Sequence, residues 1–143
     1  MSTKRILYLC TGNSCRSQMA EGWTRHLKSG VLEPASAGIE PSIVDPRAIQ
    51  VMAEVGVDLT GQSSKHLDDV METGFDFVVT VCSDAAEACP IFRGDALVVH
   101  QPFDDPPRLA KPGDSEEAIL TQYRRVRDEL RAYVESLPEA LMG

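Results

Sequence analysis

The chain has 143 residues, 43% hydrophobic and 25% charged, which suits one domain around one core, with no need for a disulfide or a structural metal. Its 14 Lys and Arg against 22 Asp and Glu leave a formal charge of −8. That balance speaks against nucleic acid or an anionic membrane as a partner, and it makes any anion site a local device rather than a property of the whole surface.

Lys4–Leu9, with the short apolar run Ile6–Leu9, reads as a buried strand opening the domain. Cys10–Ser17 is a small polar loop with one glycine. From Arg16 to about Lys28 the period turns helical, with Met19, Ala20, Trp23 and Leu27 on one face, and Ser29-Gly30 ends it. Leu32–Ala37 reads as a second strand closed by Gly38. Asp45-Pro46 has the form of a helix cap followed by a first-turn proline, with Ile49, Met52, Ala53 and Val55 behind it and Gly56 as its stop. Phe75–Val81 and Ala96–His100 read as the third and fourth strands. Gln101–Ser115, rich in Pro and Asp, reads as one long surface loop. Ser115–Leu137 is a long amphipathic helix with Ile119, Tyr123, Val126, Leu130 and Val134 as its inner stripe.

Strands that alternate with helices predict an α/β domain over residues 1–143, with a parallel sheet covered on both faces. Ligands of such sheets bind beyond the carboxyl ends of the strands. Cys10, Cys82 and Gln101 each follow a strand and are expected along one sheet edge. Met1–Arg5 leads only to the short run Ile6–Leu9, so no leader is expected, and no apolar stretch is long enough to cross a membrane. The expected compartment is the cytoplasm, where thiols stay reduced.

The segment Cys10-Thr11-Gly12-Asn13-Ser14-Cys15-Arg16-Ser17 follows a strand and opens a helix. A cysteine and an arginine separated by five residues can close a cradle in which successive backbone N–H groups, from Thr11 to Arg16, face an anion at a helix N-terminus. Gly12 and Asn13 tolerate the backbone angles that such a loop needs. Arg16 can fork onto two oxygens of a tetrahedral anion. The same field favours the nucleophilic thiolate at Cys10, and the Ser17 hydroxyl is placed to donate to it. The plainer alternative is a tight turn with a buried cysteine, but that leaves the joint placement of Cys, Gly, Asn, Arg and Ser unexplained.

On these residues the chain resembles the low-molecular-weight protein tyrosine phosphatases, and within them the thioredoxin-linked arsenate reductases. The resemblance runs nearly end to end. It includes C-T-G-N-S-C-R-S and the following Q-M-A-E-G-W, the S-A-G of Ser36–Gly38 and the D-P-R-A-I of Asp45–Ile49. It continues through V-T-V-C-S-D-A-A-E-A-C-P from Val79 to Pro90 and F-D-D-P-P from Phe103 to Pro107. It implies a four-stranded parallel sheet flanked by helices, with Cys10 as nucleophile, Arg16 as oxyanion clamp and an Asp-Pro acid. Asp105, directly before Pro106, matches that acid and would protonate the departing oxygen. Alone, Asp-Asp-Pro-Pro would read as a surface turn. Asp104 is expected to be a spectator.

A phosphatase of this kind needs only Cys10, Arg16 and Asp105. An arsenate reductase must also supply two electrons, and the resemblance places two further thiols, Cys82 and Cys89, where they can do so. Cys82 would attack the arsenic-bearing sulfur of Cys10, releasing arsenite and leaving a Cys10–Cys82 disulfide. Cys89 would then attack Cys82, and the Cys82–Cys89 disulfide would pass to thioredoxin, glutaredoxin or a low-molecular-weight thiol. Ser83–Ala88 favours a short helix, which would hold the two cysteines about 10 Å apart and require local unwinding before they join. For either cysteine alone, a buried structural role is the plainer reading. Cys15 is expected to pack rather than react. A zinc site from the four cysteines fits neither their spacing nor the neighbouring Arg16, and no metal or cofactor is expected.

Some of these reductases bind potassium through residues that correspond to Asn13, Glu21, Ser36 and an acidic residue at the position of Lys65. A lysine cannot ligate a cation. Either its ammonium takes the ion's place near Glu21, or Lys65 is an exposed residue of the Ser63–His66 loop. His26, His66 and His100 carry no catalytic spacing. The expected function is therefore reduction of arsenate by a monomer. The alternatives are phosphomonoester hydrolysis by the same cradle and a non-enzymatic oxyanion or redox sensor, which the intact Cys10, Arg16 and Asp105 argue against.

Overall fold

Along β1 (Lys4–Leu9), Ile6 and Tyr8 belong to one apolar cluster and Leu7 and Leu9 to another, and all four are fully buried. That is the period-two pattern of a central strand with both faces covered. The computed structural model describes residues 3–82, 92 and 94–142. Beside β1 lie β2 (Leu32–Ala37) and β3 (Phe77–Thr80), and β4 (Leu97–His100) forms the edge, in the order β2-β1-β3-β4 with all pairs parallel. The sheet is the expected one, but β3 and β4 are shorter than the apolar runs that suggested them. Val81 still donates its N–H to Leu9, yet β1 turns away at Cys10, so the ladder ends there. Leu97 and Val98 on β4 are 47% and 46% exposed. Their apolar run suggested a buried strand, but an edge position leaves it open.

The helices α1 (Arg16–Leu27), α2 (Pro46–Ala53) and α4 (Glu116–Glu135) pack on the Ile6 and Tyr8 face through Met19, Trp23, Val51, Met52, Val126 and Leu130. The starts of α2 and α4 follow from their caps. The Asp45 carboxylate accepts from Arg47 N–H with Pro46 in the first turn, and the Ser115 hydroxyl accepts from Ala118 N–H. The expected stripe of α4 holds at Tyr123, Val126, Leu130 and Val134; Leu120 is buried with them, and Ile119 packs against the core while partly exposed. The other face, Leu7, Leu9 and Val78, is covered among the described residues by Leu67 in a 3-10 turn (Leu67–Asp69), by Val70 between that turn and a second one (Met71–Thr73), and by Phe75 and Phe92. Two short helices were not foreseen: α3 (Pro106–Leu109), inside the segment expected to be all loop, and α5 (Glu139–Met142). The expected helix at Ser83–Ala88 lies outside the described residues.

Candidate active site

Cys10 leaves β1 beside the end of β3, since Leu9 pairs with Thr80, and Gln101 N–H reaches back to the Thr80 carbonyl. The segments after β1, β3 and β4 thus meet at one edge, as expected. Gly38, at the end of β2, packs against the backbone of the Cys10 loop. A Cβ there would lie 2.5 Å from the Thr11 carbonyl, 2.8 Å from that of Cys10 and 2.9 Å from Asn13 N. Only glycine lets the loop sit this low on the sheet.

The carbonyls of Thr11 to Cys15 are each held by a donor outside the pocket. Thr11 O accepts from Ile39 and Glu40 N–H, Ser14 O from Asp45 N–H and Cys15 O from Met19 N–H. Gly12 O accepts from the Ser64 hydroxyl, and Asn13 O from the Gln18 side-chain amide at 3.0 Å. In a planar trans peptide the following N–H points the opposite way. The N–H groups of Gly12 to Arg16 therefore turn inward, away from these anchors, as an anion cradle requires.

Asn13 holds φ +47° and is fully buried. Its side-chain oxygen accepts from Lys65 N–H at 2.8 Å, which directs its amide N–H to Ser17 Oγ at 2.9 Å. Ser17 then has its own proton to donate to Cys10 Sγ, 2.9 Å away. The sequence placed Ser17 on the thiol but gave Asn13 no part in aiming it.

Arg16 is pinned rather than loose. Its Nη1 donates to the carbonyls of Val81 and Phe103, and its Nη2 lies 3.5 Å from the Asp105 carboxylate. Asp105 stands at the N-terminus of α3, its side chain makes no capping bond, and it lines a pocket of about 90 Å³ with Cys10, Thr11, Gly12, Ser14, Cys15, Arg16 and Pro107. Asp104 instead pairs with Arg125 on α4 at 3.0 Å. A nucleophilic sulfur, an arginine and a carboxyl group thus share one pocket of oxyanion size.

Cys82 is fully buried at the end of β3, on the shared edge but not in the pocket lining. Cys89 lies outside the described residues. Cys15 is buried against the core, and its thiol is pushed well above its ordinary range by burial first, then by the charges of Asp45, Asp105 and Cys10. It stays protonated, as its expected packing role requires.

Lys65 is half-buried, and its ammonium donates to the carbonyls of Ser36 and Ser63 at 3.1 and 2.9 Å. The Glu21 carboxylate accepts from the Ser36 hydroxyl and pairs with Arg25 at 2.6 Å. These residues do not fit a potassium ion, because cationic side chains already occupy the Ser36 carbonyl and Glu21. The exposed-loop reading of Lys65 is thereby corrected. Potassium is expected to shift the melting temperature no more than sodium at equal ionic strength; a potassium-specific rise would show that an ion site survives.

Sequence reasoning also missed Gln18, Ser64 and Gly38 as supports of the loop. Gly38 lay in the recognised S-A-G motif, and that was its only signal.

The model of the low molecular weight phosphotyrosine protein phosphatase family matches residues 5–142. An arsenate reductase of Shouchella clausii is 43% identical over 139 residues, spanning 97% of this chain and 98% of its own. One from Bacillus subtilis is 43% identical over 130 residues, spanning 91% of each chain. A solved structure described as an arsenate reductase in the phosphate binding state superposes with a TM-score of 0.77 at 30% identity, covering 97% of this chain and 99% of its own.

Proposed function

The chain belongs to the low molecular weight phosphotyrosine protein phosphatase family, and we propose that it uses the Cys10 loop to reduce arsenate to arsenite. The observation that carries the anion chemistry is the single pocket joining Cys10, Arg16 and Asp105 beneath inward-facing N–H groups. Arsenate binds there with Arg16 and the loop N–H groups on its oxygens. The Cys10 thiolate attacks arsenic, and one arsenic-bound oxygen leaves as water after taking a proton from Asp105. The Cys82 thiolate then attacks Cys10 Sγ. A sulfur–sulfur bond forms, and the sulfur–arsenic bond breaks with its electron pair going to arsenic, which departs as arsenite. Cys89 attacks Cys82 and frees Cys10, and thioredoxin or another thiol reductant returns the pair to thiols. The reducing cytoplasm suits this chemistry, with the enzyme acting as a monomer.

What favours reduction over simple hydrolysis is Cys82, a thiol at the end of the strand beside Cys10. The deciding experiment mixes the protein with thioredoxin, thioredoxin reductase and NADPH. Arsenate is expected to drive NADPH oxidation; if it consumes none with any thiol reductant, the reading is lost. Phosphate-ester hydrolysis remains the second reading, because the Cys10, Arg16 and Asp105 pocket serves a phosphoryl group equally well.

Asp105→Asn is expected to slow formation of the Cys10 adduct by roughly 10²–10⁴-fold with the fold intact. Asp104→Asn should have little effect, since Asp104 faces Arg125. The reverse pattern in single-turnover rates would mean the wrong carboxyl group has been assigned.

A further inference from the structure

Gln18 is fully buried on α1, behind the loop and outside the pocket lining. Its Nε2 donates to the Asn13 and Ser63 carbonyls, each at 3.0 Å, and its Oε1 accepts from Gln62 Nε2 at 2.8 Å. Carbonyls only accept, so this amide has one orientation. Gln62 is fixed in turn: its Nε2 also donates to the Gln18 carbonyl, and its Oε1 accepts from Arg25 Nη1. A chain of aligned donors therefore runs from Arg25 through Gln62 and Gln18 to Asn13 O.

We propose that Gln18 is a positioning residue for the oxyanion site: by holding the Asn13 carbonyl away from the pocket, it aims the Ser14 N–H at the bound anion. Asn13 has the left-handed backbone of the loop at φ +47°, and the peptide that follows it can invert by a change of adjoining dihedrals. Inversion would present a carbonyl oxygen to the anion instead of an N–H. The other outward carbonyls are anchored mostly by backbone groups, and the Ser64 hydroxyl holds Gly12 O. At Asn13 O, the Gln18 side-chain amide is what stands in the way among the described residues.

The inference rests on the loop being an anion cradle, and inorganic phosphate tests both separately. Gln18→Met keeps the length of the side chain and removes its donor. It is expected to weaken phosphate binding by roughly tenfold, the usual loss for one hydrogen bond to a charged group. The arsenate KM should rise in step while kcat changes less, because the contact exists before and during reaction. The Ser14 amide proton should move downfield on phosphate addition in the wild type and much less in the variant, a readout that a merely structural role would leave unchanged in folded protein. Equal affinity and an equal Ser14 shift in folded Gln18→Met would overturn the inference and leave the cradle standing. Failure of the wild type to bind phosphate would remove both. If Gln18→Met does not fold, Gln62→Leu takes its place, with a smaller loss of affinity expected in the same direction and no loss overturning the proposal.

Discussion

Cys10→Ser is expected to abolish arsenate reduction and any phosphate-ester hydrolysis together, while phosphate still binds. The two activities need one nucleophile, and a hydroxyl ionises far less readily than a thiol. The substitution removes little else. The loop's inward N–H groups are set by carbonyl anchors at Ile39, Glu40, Asp45, Met19, Ser64 and Gln18, none of which involves the sulfur. Arg16 is pinned by Val81 and Phe103. The anion pocket should therefore survive with its affinity nearly unchanged, and Ser17 would donate to an oxygen instead of a sulfur. Phosphate titration followed by single-turnover arsenate assay separates binding from attack. Steady-state arsenite production by the variant would remove Cys10 as nucleophile, whereas loss of phosphate binding would mean the sulfur supports the loop's shape.

The residues proposed to carry the chemistry were legible because most of them sit close together in sequence. Cys10, Arg16 and Ser17 lie within one loop whose spacing has a chemical meaning, and Asp105 was marked by the proline after it. Apart from Gln18, five positions from Asn13, the side chains that hold this loop in shape reach it from far along the chain. Ser64 meets Gly12 across 52 positions, and Gln62 meets Gln18 across 44. No local pattern encodes such pairs, because they depend on how β1, β2 and the loop after α2 come together. The strands were legible as apolar runs, but their ends were not: β3 stops where its neighbour turns into the cradle. The open edge at β4 was equally hidden, since an edge strand and a central one can share the same Leu-Val-Val run. On α4 the stripe Tyr123, Val126, Leu130 and Val134 was legible from its period, and only its first turn differs, where Leu120 is buried and Ile119 packs beside it partly exposed. The turn α3 was read as loop because Asp-Pro-Pro suits both. Its first proline also suits a helix start, and the Asp105 side chain, at the N-cap without a capping bond, lines the pocket.

The relay makes the second large prediction, because its steps fail at different points. Cys82→Ser should form the Cys10 adduct but release no arsenite, since no sulfur is left to attack Cys10 Sγ. Cys82 is fully buried, so the variant places a hydroxyl in the core; its fold should be confirmed by circular dichroism before the result is read. Cys89→Ser should reduce once, releasing about one arsenite per enzyme, and then stop as a Cys10–Cys82 disulfide that has no resolving thiol. Both variants should retain phosphate-ester hydrolysis, which asks only for Cys10, Arg16 and Asp105. Burial of Cys82 adds a demand that the cradle does not have. In the proposed relay its sulfur would have to reach Cys10, then meet Cys89, and then be exposed to an external thiol, so Cys82 would have to leave its buried position during turnover. Alkylating free thiols after one turnover and mapping the peptides identifies the trapped bond. A Cys89→Ser enzyme that keeps turning over with thioredoxin would leave the relay with no need of its third cysteine. A Cys82→Ser enzyme that does the same would show that the reductant attacks the Cys10 adduct directly.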